Sequence, residues 1–239
     1  MKILKLTFLT LCLLIIFLNH SYATWSIIVV DPKTNKIGIA GASCTNSVYG
    51  IGAIIPGKGA VVVQAMSNLF ARVKGLEMIL ANAAPGEILE AMKDPRYDPE
   101  NQQYAIISVN YLDSPATYTG TSTTPYKGAL TAKGISVQGN TLTNAEELQS
   151  VLNTAVKAQQ DSLSIEDVLM LALEAGAKLG GDKRCGEIKA LSAFLTVVKP
   201  DDDPKKPYLN LIVNGTDDKV NAVEALRQRF NNWKTEQNK

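Results

Sequence analysis

The chain has 239 residues, with 24 Lys and Arg against 23 Asp and Glu, 46% hydrophobic residues, one His and three Cys. That fits one globular domain with a substantial core, and the near-balance of charge leaves no basic patch to bind nucleic acid. The only imidazole, His20, lies near the start, so a chain beginning at residue 24 has no Ser-His-Asp triad, no Cys-His dyad and no histidine-built zinc site.

In chain order, Lys2 and Lys5, the apolar run Leu6 to Leu18, and the small residues Ser21 and Ala23 form the three parts of a secretory signal peptide. The run is shorter than the roughly 20 residues that span a bilayer, so residues 1–23 are expected to be cleaved, leaving an exported protein with no stable membrane anchor. Cys12 follows Leu11 inside the apolar run, which argues against lipidation. Taking Lys2 and Lys5 from the 24 basic residues leaves 22 against 23 acidic ones in the mature chain, 24–239.

Cleavage after Ala23 leaves Thr24 with a hydroxyl and a free α-amine on one residue. An α-amine has a reference pKa of about 7.7 to 8.0 against about 10.4 for lysine, so a useful share of it is a free base near pH 7. A threonine activated by its own terminal amine is a recognised nucleophile; a threonine that merely begins a strand is the alternative.

Trp25 to Val30 and Ile37 to Ala42 read as a hairpin around the turn formers Asp31 to Lys36. Glycines punctuate residues 50–59, and Ala60 to Gln64 is a third strand. Helical spacing predicts Ala71 to Ala83, and Pro85-Gly86-Glu87 opens a helix to Met92. Tyr104 to Val109 and Ala116 to Thr119 form a second hairpin, and Gly134 to Gln138 a further strand. Two amphipathic helices follow, Ala145 to Gln159 and Ile165 to Leu179, the latter capped by Ser164 with Asp167 three residues on. Ser192 to Val198 pairs with Tyr208 to Val213, and a helix from Val220 to Trp233 ends the pattern. The string suggests two sheets stacked between helical layers in one α+β domain, and a single mixed sheet with helices on one side fits it too.

Several blocks, taken in order, resemble one bacterial family. They are Thr24-Trp25-Ser26-Ile27-Ile28-Val29-Val30-Asp31-Pro32, Gly38 to Ser43, Pro56-Gly57-Lys58-Gly59-Ala60-Val61 into Gln64-Ala65, Tyr118-Thr119-Gly120, Val137-Gln138-Gly139-Asn140, and Gly180-Gly181-Asp182-Lys183-Arg184. The family is the domain of unknown function 1028 (DUF1028), placed with the N-terminal nucleophile (Ntn) hydrolases. The resemblance implies a four-layer αββα sandwich, Thr24 as nucleophile, amide-bond hydrolysis, and a bacterial periplasmic or extracellular location. Where the proteasome pattern carries an aspartate supporting a catalytic lysine, this chain has Ala42, so activation by lysine is not implied.

Asn140, a side-chain amide after Gly139, is the candidate oxyanion donor beside Thr24; a turn asparagine is the equal alternative. Gln64 and Asn68 leave a buried strand and are candidates to line the substrate pocket, or to satisfy backbone groups instead. Asp182 and Arg184 lie in a Gly-rich stretch, suited to hold a substrate carboxylate or to form a structural ion pair. Ser43 is placed to hydrogen-bond the terminal amine, while Lys58 reads more readily as solvated. Export favours a disulfide between Cys44 and Cys185 over two separate thiols. No metal and no cofactor are expected. The expected function is an exported N-terminal threonine amidohydrolase acting on a small-molecule or peptide amide. The alternatives are a noncatalytic envelope-associated binding protein on the same fold and, less favoured, a pilus component. A homo-oligomer stays open.

Overall fold

The computed structural model describes residues 24–217 and 219–237, so the expected leader at residues 1–23 lies outside the described residues. Strands β1 (Thr24–Val30) and β2 (Ile37–Ser43) form the opening hairpin, with Thr24 opposite Ser43 and Val30 opposite Ile37. They are the centre of a six-stranded sheet, completed by β7 (Gly128–Ala132), β8 (Ile135–Asn140), β9 (Ser192–Val198) and β10 (Leu209–Val213) in the order β10-β9-β2-β1-β8-β7. A second, four-stranded sheet runs β3 (Gly52–Ile55), β4 (Gly59–Ala65), β5 (Gln102–Ser108), β6 (Ala116–Thr119). All strand pairs are antiparallel. The chain is an α+β protein with two separate sheets, not one mixed sheet.

The described residues form five α-helices, α1 (Leu69–Leu80), α2 (Pro85–Met92), α3 (Glu147–Gln160), α4 (Ile165–Lys178) and α5 (Ala222–Gln237), besides short 3-10 turns. Helix α1 starts two residues before the predicted Ala71, because the Asn68 side chain accepts from the Phe70 and Ala71 amides and so caps the first turn. It ends ahead of the predicted Ala83, with Asn82 in the left-handed region. Ser164 caps α4 by accepting from the Asp167 amide, as its spacing predicted. Strands β3 and β7 are not foreseen by the sequence pattern. Both are half-buried edge strands that open on Gly-Ala, weak strand formers.

Side chains alternate across a strand, and β1 divides them between two cores. Trp25, Ile27 and Val29 pack with α4 and its neighbours, in a cluster that also holds residues of α3 and α5. Ile28 and Val30 face the other way and meet Val62 of β4 and Ile107 of β5 in a core between the two sheets. A third cluster joins the outer face of β4 and β5 to Ile79 of α1 and Met92 of α2. Period two therefore turns Thr24 and Ser26 toward the four-stranded sheet, on the face of Ile28. No helix among the described residues is long and apolar enough to cross a membrane.

Candidate functional site

Thr24 opens the central strand and is only 3% exposed. Its Oγ1 donates to Ser43 Oγ across the hairpin at 3.4 Å, and Thr45 Oγ1 donates to the same Ser43 oxygen at 3.3 Å. On its other side Asn140 of β8 is its register partner. The backbone around this end of β1 is bent sharply: Ala65 (φ 68°) ends β4, Ser67 (φ 51°) lies just beyond it, and Thr141 (φ 52°) follows Asn140. Left-handed geometry at residues with a Cβ costs roughly 1 to 2 kcal/mol each, and such positions concentrate at functional sites.

The layer between the sheets is apolar near Val30 and rich in amides near Thr24. Ser26 Oγ donates to Gln64 Oε1 (2.6 Å) and accepts from Gln138 Nε2 (2.6 Å). Gln103 is the hub: its Oε1 accepts from Gln64 Nε2 (2.9 Å) and Asn140 Nδ2 (2.8 Å), and its Nε2 donates to the Gly139 carbonyl (2.8 Å). Gln64 Nε2 also lies 3.4 Å from the Thr24 carbonyl oxygen. Gln64, Gln103, Gln138 and Asn140 are completely buried, so each amide needs these partners to avoid an unsatisfied polar group. Ser26, Gln103 and Gln138 were not singled out from sequence. Ser26 and Gln138 are polar residues inside predicted strands, whereas Gln103 lies just ahead of the predicted Tyr104 to Val109 and carried no such signal.

The remaining sequence candidates separate. Asn68 is the cap of α1, and its Nδ2 donates to the Tyr97 carbonyl at 3.1 Å. Lys58 Nζ reaches the Leu80 carbonyl and Asn82 Oδ1, at the far end of α1. Asp182 is fully buried and accepts from Arg184 Nε (3.1 Å), Arg184 Nη2 (2.7 Å) and the Cys44 amide (2.6 Å). A buried carboxylate held by a guanidinium fork and backbone amides is a paired charge. Cys44 and Cys185 are joined, with S–S 2.10 Å and Cα atoms 5.5 Å apart. The Cys44 amide–Asp182 hydrogen bond and the disulfide together tie the segment after β2 to the 183–188 turn. Thr24, Ser43, Gln64 and Asn140 therefore come together, whereas Asn68 and Lys58 serve helix ends.

Glu147, at the start of α3, is completely buried beside Asp182, with the Gly181 backbone offering its carboxyl only weak support. Burial, and then the negative charge of Asp182, pushes its carboxyl up to about 9, so it is a neutral acid at physiological pH. No group of three or more His, Cys, Asp or Glu among the described residues could hold a metal ion.

Thr24 lines a cavity of about 430 Å³ whose other walls include Ser47, Tyr49, Ile51, Met66 and Arg72. Among its described lining residues there is no His, Asp, Glu or Lys. A second cavity, of about 440 Å³, lies at the opposite end of β1 beside the β1–β2 turn and the α3–α4 connection. Arg72, which sequence reasoning missed, sits in the first cavity within the N-terminal part of α1, half-buried, with Nη1 3.5 Å from Ser67 Oγ.

Residues 24–223 match the family model described as a family of unknown function, DUF1028. That match covers most of the chain, which belongs to this family. A solved relative supports the fold: the crystal structure of protein SPO2555 from Silicibacter pomeroyi, attributed to the same family, is similar with a TM-score of 0.73. It is 24% identical, over 88% of each chain. No curated protein matches the chain.

Proposed function

We propose that this protein is an exported N-terminal threonine amidohydrolase on a four-layer αββα Ntn-hydrolase fold, with Thr24 as nucleophile after removal of residues 1–23. The observation that carries it is the seat of Thr24. It begins the central strand, faces the layer between two sheets, and lines a ligand-sized cavity whose described walls supply no other general base. The terminal amine released by cleavage is then the base at hand. Helices against the outer face of each sheet support the layered fold. The leader residues and the Cys44–Cys185 bond support export to the bacterial periplasm or beyond it.

In this reaction the Thr24 hydroxyl oxygen bonds to the substrate carbonyl carbon while its proton passes to the α-amine. The amide C–N bond breaks, that proton leaves with the departing nitrogen, and an ester on Thr24 remains. Water cleaves the ester, releasing a carboxylic acid and restoring the hydroxyl. Asn140, register partner of Thr24, is the proposed oxyanion donor, through the amide hydrogen other than the one given to Gln103. Ser43 Oγ is placed to hold the hydroxyl or the amine.

The test is intact-mass analysis of the exported protein, for a terminus at Thr24, after treatment with a peptide epoxyketone, which bridges a hydroxyl and an adjacent free amine. Expected is one adduct per chain, lost in Thr24→Ala and in the uncleaved form. Absence of an adduct across a panel of such electrophiles would favour the noncatalytic binding protein.

A further inference from the structure

Arg72 is a residue that the fold alone does not explain. It sits within the first turn and a half of α1, where the helix dipole is positive and where no acidic residue offsets it. It is half-buried, and burial pulls its guanidinium below the ordinary arginine range. Among the described residues it has no carboxylate within salt-bridge distance, although Arg96, Arg184 and Arg227 each have one. Among the described residues the guanidinium's one hydrogen bond is the long approach to Ser67 Oγ. A half-desolvated cation at the wrong end of a helix is destabilising, and arginine's planar fork is suited to a carboxylate.

The cavity it enters is otherwise apolar or neutral, lined by Val48, Tyr49, Ile51 and Met66 together with Thr24 and Ser47. We propose that the Thr24 cavity takes an amide that also carries a free carboxylate and a modest apolar side chain, and that Arg72 binds the carboxylate. The chemistry is that of an N-acylated apolar amino acid or of the carboxy-terminal residue of a peptide. The cavity volume matches such a ligand. The proposal rests on Thr24 being the reacting group, since it is Thr24 that fixes where the amide lies.

The experiment is titration calorimetry on the processed chain carrying Thr24→Ala, so that nothing is turned over. Every described element lies between residues 24 and 237, so removal of the leader takes away no part of the described fold. The probes are N-acetyl-leucine against its methyl ester, and the peptide N-acetyl-Ala-Leu against its carboxamide, which separates the two sources of the carboxylate. Expected is that at least one free acid binds about ten- to a hundredfold tighter than its neutral partner, the range for a charge-assisted hydrogen bond in a pocket. Arg72→Met abolishes that difference, and Arg72→Lys keeps only part of it. Thermal melts of Arg72→Met are expected to be unchanged or raised, because a half-buried charge with no carboxylate beside it is removed. Equal binding of acid and neutral partner, a preference that survives Arg72→Met, or no saturable binding of either acid overturns the inference. If the epoxyketone fails to capture Thr24 while acids still bind through Arg72, the hydrolase proposal falls and the anion site stands. Capture with indifference to the carboxylate gives the reverse.

Discussion

At Thr24 the hydroxyl and the amine are separable by substitution. Thr24→Ser keeps both and is expected to retain epoxyketone capture, while Thr24→Val is nearly isosteric, keeps the amine and is expected to lose it. Circular dichroism should show both variants folded. Glu147 gives a second prediction, in pH. Its folded carboxyl titrates at about 9, whereas an unfolded glutamate titrates near 4.3. Between those values the folded chain holds a proton that unfolding releases, so stability is highest below the unfolded value and falls as pH rises toward 9. The loss by pH 7 is on the order of 3 kcal/mol. Glu147→Gln removes the titration, so urea melts at pH 5, 7 and 9 should lose this downward slope and the variant should be the more stable at neutral pH. A wild-type slope that persists in the variant would sink the assignment.

At the scale of elements, β1 is held by α4. Trp25 is fully buried, and its Nε1 donates to the Leu173 carbonyl at 3.2 Å. The helix passes so close that a Cβ on Gly176 would lie 2.5 Å from that nitrogen. Gly176→Ala should therefore destabilise by about 1 to 3 kcal/mol, despite the better helix propensity of alanine. Urea melts measure the loss, and slower capture at Thr24 is expected because Trp25 is its neighbour. The elements themselves were largely legible. The β-branched run after Thr24, the turn formers at 31–36 and the Ser164 cap each act through local physics that a sequence carries. Strands β3 and β7 were not legible, because each opens on Gly-Ala, weak strand formers, whereas the equally half-buried edge β6 carries Thr and Tyr.

At the scale of the whole molecule, the Cys44–Cys185 bond spans 141 residues and links the segment after β2 to the turn before β9. In the chain-entropy model a loop that long restricts the unfolded chain by about 5 kcal/mol, a figure native strain and residual structure reduce in practice. Reduction by dithiothreitol, or Cys44→Ser with Cys185→Ser, is expected to lower the melting temperature by several degrees. It should also weaken capture at Thr24, since Ser43 adjoins Cys44. An unchanged melt would mean that the Cys44 amide–Asp182 hydrogen bond and the core hold these segments without the disulfide.

The sequence by itself determined the family, the candidate Thr24, the absence of histidine beyond it and most of the strand and helix order. These are properties of residue identity and of short periodic patterns. Tertiary structure alone decided that Gln64 and Asn140 join a buried amide cluster around Gln103, that Asn68 is a cap, and that Arg72 shares a cavity with Thr24. Those facts depend on which face of one element meets another across tens of residues. No local period encodes that meeting, because it follows from packing two sheets face to face.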